Sequence, residues 1–83
     1  MNDNALRDLV VSVLGEIAPE VDFGELPGDT DLREELELDS MDVLNFVTAL
    51  HERTGVDVPE RDYLLLTSID ACVSYLSDRI APG

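Results

Sequence analysis

The sequence predicts an all-α fold, a four-helix bundle with three main helices and one short third helix. Apolar residues recur at helical spacing in three separate segments, and we find no stretch typical of a β-strand. The chain of 83 residues is long enough for one small domain, which we place over residues 1–83. Only 5% of the residues are aromatic, so aliphatic side chains must fill the core.

The first helix is predicted over residues 4–17. Asp3 or Asn4 can cap its start, because short polar side chains accept hydrogen bonds from free backbone N–H groups, and Pro19 lies just beyond its end. One face is apolar, and it is formed by Leu6, Leu9, Val10, Val13, Leu14 and Ile17.

A long connection follows over residues 18–38. It contains the turn-forming residues Pro19, Gly24, Pro27 and Gly28. Connections of this length are uncommon in small domains, and the scattered apolar residues indicate that it is held against the core. We expect a short helical turn over residues 31–35.

The second helix is predicted over residues 40–53. Asp39 is expected to cap its start, and Asp42 lies three residues on, so that both carboxylates face the positive end of the helix dipole. Gly55 provides the stop. The inward face is predicted from spacing to consist of Val43, Phe46, Val47 and Leu50.

Two further helices complete the bundle. A short third helix is expected over residues 60–65, after Pro59, and a last helix over residues 69–80 with Thr67 or Ser68 as its cap. Cys72 lies on the apolar stripe of the last helix, and we interpret it as a small core residue rather than a reactive thiol.

Charge limits the classes of partner. The chain has 19 acidic residues against 5 basic ones and a net charge of −14. Such a surface repels nucleic acids and anionic membranes, and it favours proteins with basic docking patches. A single cysteine, a polar N-terminus and the lack of an apolar run of membrane-spanning length lead us to expect a cytoplasmic protein.

Ser40 is the strongest candidate for a functional residue. It follows the capping Asp39 at the first turn of the second helix, where free N–H groups and the helix dipole favour an anion, although Asp39 and Asp42 would repel one. A serine at a helix start is more often just part of the cap. The residues alone therefore leave open whether Ser40 carries a phosphate ester.

The chain resembles the acyl carrier protein family over roughly residues 4–80. The signature Asp-Ser-Leu or Asp-Ser-Met at the start of the second helix is matched by Asp39, Ser40 and Met41. Further matches are Leu32 and the Glu35-Leu36 pair upstream, Val58-Pro59 before the third helix, and Thr67-Ser68-Ile69 at the last one.

This resemblance implies a function and a cofactor. A phosphopantetheinyl transferase would attach 4′-phosphopantetheine from coenzyme A to Ser40, flanked by Asp39 and Met41. The arm would carry acyl groups as thioesters in fatty-acid, polyketide or specialised lipid biosynthesis, and the carrier itself would not be an enzyme. The carrier would be a monomer, and its partners would be an acyl ligase, synthases and acyltransferases.

Spacing also divides the second helix into faces. We expect the side beside Ser40 to meet partners, with contacts from Leu38, Asp42, Leu44, Asn45, Thr48 and Glu52. The inward residues Val43, Phe46, Val47 and Leu50 are candidates for an acyl pocket, as in fatty-acid carriers. Simple core packing explains the same residues equally well.

Departures from the family pattern mean that a specialised carrier, for a polyketide, modified-lipid or aminoacyl pathway, fits as well as a housekeeping fatty-acid carrier. Glu37 stands where the family usually has a glycine before the Asp-Ser pair, and the local backbone is expected to differ. Asn45 and His51 stand where fatty-acid carriers usually have acidic docking residues. A stand-alone peptidyl or aminoacyl carrier therefore remains an alternative.

Other classes fit less well. The only histidine, His51, is eleven residues from Ser40 on the same helix, about 16 Å away at 1.5 Å per residue, too far to activate it as a nucleophile. The pair Asp29 and Asp31 begins a calcium-loop pattern that fails at later positions, so no metal site is expected. An unmodified acidic helical adaptor remains the alternative of a different class.

Overall fold

The computed structural model describes residues 2–80, and in them it confirms the all-α bundle. Its helices are α1 (Asp3–Ile17), α2 (Leu32–Glu35), α3 (Ser40–Thr54), a 3₁₀ helix (Glu60–Leu65) and α4 (Ile69–Arg79). The expected turn at 31–35 is α2, and the short third helix has 3₁₀ geometry. Within residues 2–80, no helix is both long and apolar enough to cross a membrane.

Helix α1 begins one residue earlier than predicted, and its cap is Asn2 rather than Asp3 or Asn4. The Asn2 side chain accepts a hydrogen bond from the backbone N–H of Ala5 at 2.8 Å. Asp3 is the first residue of the helix, where its carboxylate faces the positive end of the dipole.

The core is aliphatic, as expected from the low aromatic content. α1 packs against α4 and α3, and the side chains with no exposed surface include Leu6 and Leu14 of α1, Leu50 of α3, and Ile69 and Leu76 of α4. Cys72 is buried in the same core, and burial raises the pKa of its thiol to about 12. It is therefore an unreactive core residue, as interpreted from the sequence.

The long connection is held against the start of α4 by two backbone hydrogen bonds. Leu32 N–H donates to the Thr67 carbonyl at 2.8 Å, and Asp70 N–H donates to the Gly28 carbonyl at 3.0 Å. A Cβ at Gly28 would collide with the exposed Asp70 carboxylate, which would have to move aside. Phe23 and Leu32 are buried in the core, which confirms that the connection is pinned.

The 3₁₀ helix has no fully buried residue; its half-buried Tyr63 packs against the core, and polar contacts join the helix to α4. The Tyr75 hydroxyl donates to Asp62 Oδ2 at 2.6 Å, and an Arg79 guanidinium nitrogen lies 3.5 Å from the same oxygen. Arg79 also stacks over the Tyr75 ring at 3.6 Å from its centre, a cation–π contact. Ser68, one of two predicted candidates, caps α4 by accepting from Ala71 N–H at 3.0 Å.

Candidate functional site

Ser40 is the first residue of α3, and its side chain is exposed. The predicted cap is confirmed as a reciprocal capping box. Asp39 Oδ1 accepts from Asp42 N–H at 2.9 Å, while Asp42 Oδ2 accepts from Asp39 N–H at 3.4 Å. Because Asp39 and Asp42 fulfil the capping role, the Ser40 hydroxyl is not needed for it and is free for modification.

The backbone that leads to Ser40 turns at Glu37. Glu37 has a φ of 52°, in the left-handed region, and Leu38 N–H donates to the Arg33 carbonyl at 3.1 Å. This bond and this conformation define a Schellman ending of α2, with Glu37 at the position that glycine usually occupies. Glu37 therefore takes the left-handed conformation that glycine adopts without strain, and the expected difference from the family's local backbone stays a prediction.

A cleft of about 520 Å³ opens beside Ser40, between α2, α3 and the 3₁₀ helix. Val43 and Leu44 form its α3 side, and Tyr63 and Leu64 form its 3₁₀ side. The charged side chains on its wall are Arg33 and Glu60. The cleft therefore combines apolar walls with one cation and one carboxylate next to the exposed serine.

Large apolar side chains are exposed around the cleft. Met41 is 63% exposed and Leu44 45%, while Leu64 and Leu65 on the 3₁₀ helix are more than half exposed. Exposed apolar groups of this size on a very acidic surface are typical of a contact surface. We call these four residues the apolar rim.

The residues predicted to meet partners occupy two environments. Leu44, Asn45, Thr48 and Glu52 are exposed on α3. Leu38 and Asp42 are half-buried; Leu38 packs against the core, and Asp42 is engaged in the capping box.

The residues predicted to form an acyl pocket also divide. Val43 is half-buried and lines the cleft beside Ser40. Phe46, Val47 and Leu50 are buried and pack within the common core. The structure therefore brings Val43 to the site and places the other three behind it.

His51 lies at the far end of α3 from Ser40. Its Nδ1 atom is 3.0 Å from the Val56 carbonyl oxygen. This contact ties the histidine to the chain after α3 and leaves it outside the cleft.

The sequence singled out Tyr63, Leu64 and Leu65 of the short third helix as residues that could shape the mouth of a pocket, and Tyr63 and Leu64 do line the cleft. It did not single out Arg33 or Glu60 as residues of the site. Arg33 carried one detectable signal, since it is a lone cation in an otherwise acidic segment that includes Glu34, Glu35 and Glu37. Glu60 carried none, because its position depends on how the 3₁₀ helix docks.

The exposed hydroxyl and the cleft together fit a phosphopantetheine group. A phosphodiester on Ser40 would remain in water and would bury no charge, while the apolar walls of Val43, Leu44 and Tyr63 offer a surface for the rest of the arm. The chemistry of the site thus agrees with a covalently modified carrier.

Comparison with known families gives the same class. A family model described as "Phosphopantetheine attachment site" matches residues 4–76. The match covers most of the chain, and the chain therefore belongs to this family of phosphopantetheine-dependent carriers.

Comparison with individual proteins defines the kind of carrier. The chain is 34% identical over 73 residues to an acyl carrier protein of Campylobacter hominis, covering 88% of this chain and 86% of the relative. It is 27% identical over 73 residues to an acyl carrier protein of Rubrobacter xylanophilus, covering 84% and 90%. It is 28% identical over 80 residues to "Polyketide-8 synthase acyl carrier protein 2" of Streptomyces avermitilis, covering 96% and 86%.

These matches confirm the prediction of an acyl carrier protein whose cofactor is 4′-phosphopantetheine. Its function is to carry acyl groups as thioesters on that arm, and a carrier of this family works together with transferases and synthases.

Proposed function

We propose that Ser40 is the residue that carries the 4′-phosphopantetheine arm and that residues 1–83 act as one monomeric carrier domain. The observation that carries this proposal is the exposed Ser40 hydroxyl at the start of α3, beside a partly apolar cleft. When bound, the arm supplies a terminal thiol that holds an acyl group as a thioester. Asp39 and Asp42 hold the helix start in place, and Met41 flanks the modified residue.

We further propose that the apolar rim and the outer face of α3 form the docking surface. Met41, Leu44, Leu64 and Leu65 offer apolar contacts, and Asn45, Thr48 and Glu52 extend the same side of α3 with polar ones. The charge of −14 speeds encounter with basic patches, while exposed ion pairs are individually weak and allow fast release. A phosphopantetheinyl transferase, acyl ligases, synthases and acyltransferases are the partners that this surface fits.

The chain itself is proposed to be non-catalytic. His51 lies at the other end of α3 from Ser40, where it contacts the Val56 carbonyl, so it does not act as a base for the serine. The buried free Cys72 fits a reducing compartment, which supports a cytoplasmic location.

The cargo is proposed to belong to a polyketide or specialised lipid pathway. The likeness to a polyketide synthase carrier extends over 96% of the chain. Asn45 and His51 replace acidic residues that fatty-acid carriers usually have on the docking side. The replaced acidic residues support a specialised carrier, while the relatives at 34% and 27% identity are named acyl carrier protein with no pathway, so a fatty-acid carrier is the alternative.

Intact-protein mass spectrometry tests the attachment site. The purified chain is incubated with coenzyme A and a promiscuous phosphopantetheinyl transferase, alongside Ser40→Ala and the matched control Ser77→Ala, which alters an exposed serine on α4. We expect the parent chain and Ser77→Ala to gain one phosphopantetheine and Ser40→Ala to gain none. Loading of a folded Ser40→Ala variant would overturn the assignment, and circular dichroism checks that each variant is folded.

A further inference from the structure

Among the residues that the structure describes, Arg33 is the only one with a cationic side chain lining the cleft beside Ser40. It lies on α2, whose Schellman ending leads directly to the start of α3. The chain has only five basic residues, so the position of each one matters for its local electrostatic field.

The basic side chains fall into two groups within residues 2–80. Arg7 lies 3.5 Å from Asp70, Arg53 lies 2.7 Å from Glu16, and Arg79 lies 3.5 Å from Asp62. These three join different parts of the fold. Arg33 and Arg61 form no ion pair in this described part of the chain, so neither has a comparable role.

The surroundings of Ser40 are otherwise acidic. Asp39 and Asp42 flank it in the capping box, and Glu60 lies on the cleft wall. A phosphodiester on Ser40 adds a further negative charge to this group. Without a counter-charge, modification would therefore lower the stability of the folded chain through repulsion.

We propose that Arg33 is a positioning residue for the arm, pairing its guanidinium with the phosphodiester on Ser40. The inference rests on Ser40 being the attachment site. Guanidinium is suited to the role because its planar donors match phosphate oxygens and it is less strongly hydrated than an ammonium group. The pairing offsets the repulsion from Asp39 and Asp42 and keeps the arm at the mouth of the cleft.

The phosphodiester, rather than an anionic group of the cargo, is the partner that the structure favours. The phosphate is bonded to Ser40 itself, and Ser40 and Arg33 line the same cleft. A carboxylate on the cargo would lie at the far end of the arm. Arg33 therefore acts on every loaded form, whatever acyl group is carried.

Thermal unfolding of apo and holo forms tests the pairing. The variants are Arg33→Gln and the matched control Arg61→Gln, which removes an equally exposed, unpaired arginine from the 3₁₀ helix and changes the net charge equally. The quantity compared is the Tm of the holo form minus the Tm of the apo form. We expect this quantity to be roughly 2–4 °C lower in Arg33→Gln than in the parent. The same difference in Arg61→Gln should stay within about 1 °C of the parent value.

A second readout is the ³¹P resonance of the holo protein carrying a free thiol. We expect it to move in Arg33→Gln, to remain in place in Arg61→Gln, and to return towards the parent position in Arg33→Lys, which restores the charge without the planar donors. Equal behaviour of Arg33→Gln and Arg61→Gln in both measurements would overturn the inference. So would an effect that arises only when the arm carries a carboxylated acyl group.

Failure of this inference is separable from failure of the attachment site. Mass spectrometry first establishes that each variant carries one arm and that Ser40→Ala carries none. If Ser40→Ala is loaded, the proposed function fails. If loading is as proposed but the two arginine variants are alike, only the role of Arg33 fails.

Discussion

Replacing Glu37 with glycine should stabilise the chain. Glu37 has a φ of 52° at the end of α2, and its side chain is exposed. A residue with a Cβ pays a steric cost of about 1–2 kcal/mol in this region. Glycine removes that cost but loses more backbone entropy on folding, about 0.5–1 kcal/mol.

The two effects leave a net gain of about 0.5–1 kcal/mol in the free energy of unfolding. For a domain of this size, that gain corresponds to a rise in Tm of about 2–8 °C. The substitution also removes a negative charge from an acidic segment, which by itself would raise stability. The magnitude due to backbone strain must therefore be separated from the effect of charge.

Urea unfolding of two variants separates them. Glu37→Gln removes the charge and keeps the Cβ, while Glu37→Gly removes both, so the difference between them reports the relief of strain minus the extra backbone entropy that glycine loses on folding. We expect Glu37→Gly to be more stable than Glu37→Gln by the full 0.5–1 kcal/mol or so, with unchanged m values. If Glu37→Gly is no more stable than Glu37→Gln, the strain of the left-handed backbone does not exceed the entropy cost of glycine, and the expected net gain is refuted.

Two further predictions concern the cap of α3 and the polar link to α4. Asp39→Ala should lower the free energy of unfolding by about 1 kcal/mol in urea titrations, because it removes the capping box. Asp39→Asn should retain most of the stability, because asparagine also caps helices well. Equal losses in the two variants would contradict the role of the cap. Burial and the hydrogen bond to Asp62 raise the pKa of Tyr75. The contribution of the Tyr75 phenol to the free energy of unfolding is therefore complete below the unfolded-state pKa of about 10, and it is lost as the pH rises through the folded-state pKa. At pH 7, Tyr75→Phe should lower the free energy of unfolding by about 1–2 kcal/mol. Above pH ~10, its urea midpoint should decline less steeply with pH than that of the parent. Parallel declines of the two proteins would refute this prediction.

Local sequence signals predicted the helices well. The apolar repeat of α1 placed its end at Ile17 correctly, and Asp39 and Asp42 were identified as a first-turn pair before their reciprocal hydrogen bonds were seen. These features depend on residues three or four apart on one helix. Helix starts were less certain, since Asn2, Asp3 and Asn4 can all cap and only the backbone decides between them.

The cleft could be predicted only in part. Val43 and Leu44 follow from the helical spacing of α3, but Arg33 and Glu60 come from short elements on either side, whose positions are set by long-range contacts. The hydrogen bond from Leu32 to Thr67 joins residues far apart in the sequence and places α2. Periodicity carries no information about such contacts, which is why the wall charges were missed.

The two sides of the cleft differ in how firmly they are attached. The α3 side is backed by Phe46, Val47 and Leu50 in the core. The 3₁₀ side has no fully buried residue, and it is held by half-buried Tyr63, which packs against the core, and by the links from Asp62 to Tyr75 and Arg79. Local opening is cheapest where little apolar surface is lost. Opening the cleft at its 3₁₀ side therefore costs less free energy than opening it at α3, because the apolar core behind α3 stays packed.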